Sequence, residues 1–403
     1  MKILIHTMYY LPDFGSAPIL MDELARGLAA AGHEVEVVTT LPRNRGREFR
    51  GLFFSRRVEG GVVVKRLWTN TAAHPLARLL AWNIYTAGAL VNLLTVRRGD
   101  VLFLRTPPLQ LGFPALFAKV LAGAKVLVNV QDIHPDLSIE SGILKSPSGI
   151  RFAKALERWV YGLADRIAVI SDGFARNLRA KAVPAGKLAV LPNWVDTDFL
   201  KPGPKDNPVS RRHGLDSKFV VMYSGTISIS GDRALKKALE AAALLAGDRE
   251  VVFVVVGEGL RKDALKARAA ALGLANAVFL PFVPYPELPS LLASSDVLLV
   301  PLDGDKSDLS VPSKLYSFMA AGRPILGLAS PGSEVAVLLR ENDCGLTAGP
   351  DDPAAIAGAV RALKDSPERR RALGENARGY AVRRFAKDAV LRSYDALLRS
   401  VVS

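Results

Sequence analysis

Short apolar runs alternate with helical stretches along the whole chain. The run 2–6, Lys-Ile-Leu-Ile-His, reads as a buried strand. A loop with Gly15 follows, then a helical pattern over 17–31 closed by Gly32, then a strand over 34–39. Strand, glycine loop, helix and strand is the opening of a doubly wound α/β domain, which binds ligands at the carboxyl edge of its parallel sheet. Further strands are predicted at 62–67, 101–104, 125–130 and 166–170, with 43–59 between them as a long loop. Helices are predicted from 106, over 152–164, and over 172–182, the last capped by Ser171.

The theme then repeats. Strands are expected at 219–224, 250–256, 277–283 and 297–301, and helices at 233–246, 353–364 and 386–400. Between the two series, 201–210 (Lys-Pro-Gly-Pro-Lys-Asp-Asn-Pro-Val-Ser) has the composition of a linker and puts the boundary near 195–215. A length of 403 residues agrees with two domains.

Residues 76–96 are less ordinary. Leu76, Leu79, Leu80, Ile84, Ala87, Val91 and Leu94 form one helical stripe, and Arg78, Trp82, Tyr85 and Ala89 the other side. A helix apolar on both sides is either deeply buried or meets lipid. It lies between two strands of one domain, so spanning a bilayer would break the sheet.

Charge sharpens this picture. The net charge is +14, and residues 1–200 hold 25 Lys+Arg against 16 Asp+Glu. Residues 43–66 carry Arg43, Arg45, Arg47, Arg50, Arg56, Arg57, Lys65 and Arg66 against Glu48 and Glu59. Such a face attracts nucleic acid, anionic lipid or a phosphorylated substrate. No nucleic-acid-binding module is recognisable. An arginine-rich chain with few His and Cys is also a thermophile's composition. The single cysteine, Cys344, excludes an internal disulfide and suits a reducing compartment. The first residues run straight into a strand pattern, without the apolar run of a signal peptide, so a cytoplasmic location is expected.

The stretch 308–326 concentrates the candidate chemistry. Val311 and Pro312 open a helix with Leu315, Phe318 and Met319 on one face, Gly322 ends it, and Pro324 leads into a strand. Free N–H groups over 309–313, with Lys314 beside them, make an anion site suited to a phosphate or diphosphate. An ordinary αβ unit with a capping serine and a surface lysine would show the same spacing. A second cluster, Gln131-Asp132-Ile133-His134-Pro135-Asp136, sits at the carboxyl edge of the first sheet. There Asp132 and His134 are the catalytic candidates, with loop ordering the simpler alternative. No G-x-G-x-x-G is present, so no dinucleotide cofactor is expected.

Val-Pro-Ser-Lys-Leu-Tyr-Ser-Phe-Met-Ala-Ala-Gly-Arg-Pro-Ile, residues 311–325, resembles the donor-binding motif of family-4 retaining glycosyltransferases. It is most similar to the branch that builds O-antigen and exopolysaccharide units on a lipid carrier. Two family glutamates, eight positions apart, are here Leu309 and Ser317, and the histidine that often precedes the catalytic-loop aspartate is Gln131. The resemblance implies the GT-B fold, two doubly wound Rossmann-like domains facing a cleft. These would be 1–197, with the last helix 386–403 packing back on it, and 198–385.

The resemblance also implies a donor site. It comprises Gly15 and Gly225 on the strand-end loops, Arg233 on the diphosphate, Glu258, Phe282 and Val283 near the base, and Leu309, Ser310, Val311, Ser313, Lys314 and Ser317. The implied activity is transfer of a hexose or N-acetylhexosamine from a nucleotide-diphosphate donor, uridine-linked, to a lipid-linked acceptor. No cofactor or metal is implied, although Asp303-Gly-Asp305 could take a cation. The implied partners are the nucleotide sugar, the lipid-linked sugar and an anionic membrane surface, at the inner face of the cell membrane. A nucleotide-sugar epimerase of the same fold, or a non-catalytic nucleotide-sugar-binding partner, remains open.

Overall fold

The structure, a computed structural model, describes residues 1–43, 49, 51–70, 75–93, 96–228, 231–303 and 311–402. The chain divides into two compact units. One is Met1–Pro192 with the chain from Asp388 onward, and the other is Asn193–Lys387.

The first unit runs β1 (Lys2–His6), α1 (Ser16–Ala30), β2 (Glu34–Thr40), β3 (Phe54–Glu59), β4 (Val62–Leu67), α2 (Pro75–Asn92), β5 (Val101–Thr106), α3 (Gly112–Ala122), β6 (Lys125–Val130), α4 (Asp136–Glu140), α5 (Pro147–Leu163), β7 (Arg166–Val169), α6 (Asp172–Ala180) and β8 (Leu188–Val190). Its sheet has the order β3-β4-β2-β1-β5-β6-β7-β8. All pairings are parallel except β3 with β4. The expected loop over 43–59 is therefore corrected in part, since 54–59 is an antiparallel edge strand.

The second unit runs α7 (Pro208–Arg212), β9 (Phe219–Ser224), α8 (Asp232–Leu244), β10 (Val251–Val256), α9 (Lys262–Ala271), β11 (Ala277–Leu280), α10 (Leu288–Ala293), β12 (Val297–Pro301), α11 (Lys314–Ala320), β13 (Ile325–Leu328), α12 (Glu334–Glu341), β14 (Gly345–Ala348), α13 (Pro353–Asp365) and α14 (Pro367–Arg384). Its parallel sheet has the order β11-β10-β9-β12-β13-β14. Successive strand residues enter two cores. Val220, Met222, Val254 and Val256 go to one face, and Phe219, Val221, Tyr223, Phe253 and Val255 to the other. Both faces being covered explains the unbroken apolar strands.

The last helix, α15 (Lys387–Val402), belongs to the first unit from Asp388 on. Tyr394 packs on Phe103, and its hydroxyl accepts from Asn129 Nδ2 at 2.9 Å. Asp395 meets His33 Nε2 at 2.5 Å.

α2 has one buried side and one outward side. Ala81, Tyr85 and Ala89 face the core, and Tyr85 donates to Val38 O at 2.7 Å. The leucine stripe faces outward, with Leu79, Leu80 and Val91 exposed. Leu94 lies outside the described residues. α3 is divided in the same way: it buries Gly112, Pro114, Ala115 and Ala118 and exposes Phe113, Phe117, Val120 and Leu121. Among the described residues no helix is long and apolar enough to cross a membrane.

The linker-like stretch 201–210 is folded within the second unit. Asn207 Oδ1 accepts from the N–H groups of Val209 and Ser210, and Ser210 Oγ accepts from Asn207 N, forming a capping box at α7. Asn207 Nδ2 also donates to Ser290 O at 3.0 Å. Asn207→Ala removes the cap and leaves the buried N–H groups of Val209 and Ser210 without their acceptor. It should cost about 2–3 kcal/mol in urea unfolding. A loss below about 0.5 kcal/mol would show that this segment is held by packing instead.

Candidate functional site

In the second unit, the ends of β9, β10 and β11 are tied by backbone bonds. Gly225 N donates to Val256 O, Gly257 N to Leu280 O, and Ile227 N to Glu258 O, at 2.9–3.0 Å. The approach is too close for side chains. A Cβ on Gly257 would lie 2.0 Å from Gly225 O, and one on Gly259 would lie 2.2 Å from Ile227 O. Both residues have positive φ, so glycine is required twice over.

Lys314 reaches this corner. Its stem runs along Gly225, where a Cβ would meet Lys314 Cε at 3.0 Å. Its ammonium lies over the Tyr223 ring and donates to Tyr223 Oη at 3.2 Å. Tyr223 in turn donates to Thr226 O. Among the described residues no carboxylate pairs with Lys314, and burial alone lowers its pKa to about 8. Among the described residues the lysine is thus a largely buried cation without a counter-ion, beside three glycine turns.

The other expected donor residues divide. Phe282, half exposed, brings its ring within 3.4 Å of the Gly257 Cβ position. Val283 and Val311 pack on the core of the second unit. Glu258 lies on the same loop and pairs with Lys262 at 2.6 Å. Ser313 is the exposed N-cap of α11 and makes no side-chain cap bond, while Ser317 is half-buried. Leu309 and Ser310 lie outside the described residues. The helix expected to open at Val311 begins at Lys314, so 311–313 precede its first turn. Ahead of the regular helix, Pro312 O accepts a tight-turn bond from Leu315 N.

Arg233 is bonded elsewhere. Its guanidinium pairs with Asp351, and both side chains are exposed. The N-terminus of α8, on which it sits, is capped by Asp303. That carboxylate accepts from Gly231 N and Ala234 N at 2.9 Å and from Arg233 N at 3.4 Å. Sequence spacing marked Asp303 for a cation, but its oxygens are taken by backbone donors. Asp305 lies outside the described residues.

In the first unit, Asp132 and His134 follow β6. His134 Nδ1 lies 2.9 Å from Ser138 Oγ, and its ring meets Trp82 edge-on at 6.4 Å. Burial lowers the His134 pKa and raises that of Asp132, and each opposes the other's shift. Burial thus disfavours the charged form of both side chains. Gln131 donates to Asn129 Oδ1 at 2.8 Å, extending the Asn129–Tyr394 link to α15. Gly15, at φ +123°, precedes α1 at the same sheet edge. Tyr9, Arg43, Thr69, Asn70, Arg78 and Trp82 line a depression next to His134. Arg43 donates to Tyr9 Oη at 2.6 Å and lies over its ring. Arg45, Arg47 and Arg50 of the basic segment lie outside the described residues.

Residues 19–194 match the family model described as a glycosyl transferase 4-like domain, and residues 209–380 match that of glycosyl transferases group 1. WcaI of Escherichia coli K12, named for colanic acid biosynthesis, is 28% identical over 408 residues, covering 98% of each chain. WbjE of Pseudomonas aeruginosa, named a glycosyltransferase, is 29% identical over 269 residues, 66% of each chain. Among solved structures, HepE of Anabaena in complex with UDP superposes with a TM-score of 0.74 at 16% identity, over 99% of this chain and 100% of that one.

The state of Lys314 sets a pH dependence. Below about pH 8 the lysine is protonated in folded and unfolded chains alike, and the desolvation cost is present in full. Between about 8 and the unfolded value near 10.4, only the unfolded chain keeps the proton, so stability from this group rises with pH. Lys314→Met should be more stable than the native chain at pH 7, and that advantage should shrink by pH 9.5 in urea unfolding. A difference independent of pH would show that the ammonium is well solvated.

Proposed function

The chain belongs to the family-4 glycosyltransferases and has their GT-B fold of two Rossmann-like domains, and from that premise we propose how it works. It transfers a hexose or N-acetylhexosamine, with retention, from a uridine diphosphate sugar to a lipid-linked saccharide in surface-polysaccharide biosynthesis. The observation that carries this reading is Lys314, a largely buried ammonium that pairs with no carboxylate among the described residues and lies beside the Gly225, Gly257 and Gly259 turns. The departing diphosphate gains charge in the transition state. A cation already stripped of water stabilises that charge more than a solvated one would. UDP is bound in the HepE structure, and WcaI is named for colanic acid biosynthesis; both support the finer assignment. In this reading no cofactor or metal is invoked, and Asp132 orients the reacting sugar from the first unit, with His134 beside it.

Membrane attachment belongs to the same reading, but its anchor is not the aromatic side of α2. Tyr85 is fully buried, and Trp82 packs on His134. Arg66 is buried and bonded to Glu59 and Leu11 O. What supports attachment is the outward face of α3 and α2: Phe113, Phe117, Val120, Leu121, Leu79 and Leu80. Phe152 is exposed on α5, which packs against α3 through Trp159 and Phe113. Arg151, Lys154 and Arg158 on α5 and Arg97 and Arg98 beyond α2 are also exposed. Apolar side chains rimmed by cations suit an anionic bilayer surface.

Transfer tests the first part. Lys314→Ala should slow UDP release from a panel of UDP-sugars, with lipid-linked sugars as acceptors, by about 10- to 150-fold, the equivalent of about 1.5–3 kcal/mol. Asp132→Asn should abolish transfer and leave UDP binding nearly intact, whereas His134→Asn should keep most activity. Full turnover by a folded Lys314→Ala would sink the diphosphate assignment.

Flotation with phosphatidylglycerol liposomes tests the second. Attachment should rise with anionic lipid, fall with salt, and drop severalfold in Phe117→Ser/Leu121→Ser. If the native chain fails to float at any composition, the bilayer is not its partner.

A further inference from the structure

Arg105 ends β5 one residue before its last position, directly opposite Asn129 of β6. It is only 8% exposed. Its Nε is enclosed and has no hydrogen-bond partner. Among the described residues no oxygen accepts from the guanidinium, and no carboxylate stands within ion-pair distance. The polar groups on the same face are already engaged: Asn129 joins Tyr394 and Gln131. Burial is the largest influence on its charge, and Asp132, then Tyr9 and Tyr394, oppose it. Burial lowers the Arg105 pKa, yet a guanidinium remains charged at any physiological pH.

A buried charge without a partner is costly, and folded proteins almost always supply one. Only Nε is both enclosed and orphaned, so the terminal nitrogens keep access to solvent at the carboxyl edge of the sheet. That edge also carries Asp132 and is where this fold binds ligands. A planar guanidinium fork fits a carboxylate or phosphate through two parallel hydrogen bonds.

We propose that Arg105 is a substrate-binding residue that takes an oxyanion, carboxylate or phosphate, carried by one of the substrates. The proposal rests on the sugar-transfer reading and adds a charge requirement to it. The oxyanion has two possible sources, a uronate carboxylate on the donor sugar or a phosphate on the lipid acceptor. Arg105 supplies the partner cation, and the ligand satisfies an arginine that the fold leaves unpaired. The excess of positive charge over residues 1–200, 25 Lys+Arg against 16 Asp+Glu, draws such a ligand toward this unit.

The test uses the full chain with Arg105→Met and Arg105→Lys. Thermal unfolding without ligand comes first. An arginine that serves the fold would lower Tm when removed, whereas the proposal expects Arg105→Met to unfold at the same or a higher temperature. A clear fall would overturn it. Calorimetric binding then compares UDP-glucuronate with UDP-glucose, and farnesyl phosphate with farnesol. The native chain should prefer the charged member of one pair by about tenfold or more, and that pair identifies the source. Arg105→Met should lose the preference and Arg105→Lys keep part of it, with UDP binding unchanged in both. No preference in either pair, or one that survives Arg105→Met, overturns the proposal. Failure of the native chain to bind UDP would instead sink the sugar-transfer reading itself.

Discussion

No side chain fits at Gly257 or Gly259, and the candidate donor site depends on that constraint. The carbonyls of Gly225 and Ile227 occupy the space a Cβ would need. Three strand ends are thereby locked by backbone bonds alone, with no flexible side chain between them. A rigid floor of this kind lets one long side chain be placed from outside. Lys314 comes from a helix on the far side of β12, lies along Gly225, and is steadied by the Tyr223 ring and hydroxyl. Packing positions the lysine, and among the described residues no carboxylate pairs with it.

That lack of compensation stands out against the rest of the molecule. Most cations withdrawn from solvent here are matched. Arg66 is bonded to Glu59, Lys65 to Glu36 and Lys181 to both Glu157 and Asp136. Arg378 and Arg323 spend their guanidinium donors on backbone carbonyls. Lys314 and Arg105 differ, each set at the carboxyl edge of its own sheet with an uncharged or distant neighbour. Burial without a matching carboxylate among the described residues marks both as candidates for a ligand that the fold does not itself contain.

Much of the architecture was legible in the sequence because parallel strands covered on both faces read as unbroken apolar runs, as at Val251–Val256. β3 was not legible, since Phe-Ser-Arg-Arg-Val-Glu mixes signals on an edge that needs only one buried position. α14 escaped for the opposite reason: its polar run has no single apolar face. Within the site, Lys314 was read from its helix start and motif, Arg233 from the family resemblance and Asp303 from an Asp-x-Asp spacing, and none of these carries information about long-range partners. Asp303 caps a helix some 70 residues earlier in the chain, a bond visible only once β12 lies beside β9. Arg105 gave no signal at all. A single arginine ending an apolar strand is unremarkable until its neighbours are known to be engaged with one another.

Two helices show where hydrophobic pattern stops being informative. In α2 and α3 both sides are apolar, so periodicity locates a helix but cannot say which side is inside. Side-chain size decides it. α3 approaches its neighbours through Gly112, Pro114, Ala115 and Ala118, and Gly112 sits where a Cβ would strike Val160 and Trp159 at 2.6–2.7 Å. Small residues allow that close packing, which leaves the large ones, Phe113, Phe117, Val120 and Leu121, pointing outward. Exposing them in water costs roughly 1.5–3 kcal/mol each relative to full burial. Such a cost on one face contrasts with α6, which turns an ordinary polar face to solvent. The proposed attachment would remove it, since the face would meet an apolar phase, and the exposed cations of α5 beside it would favour one with an anionic surface.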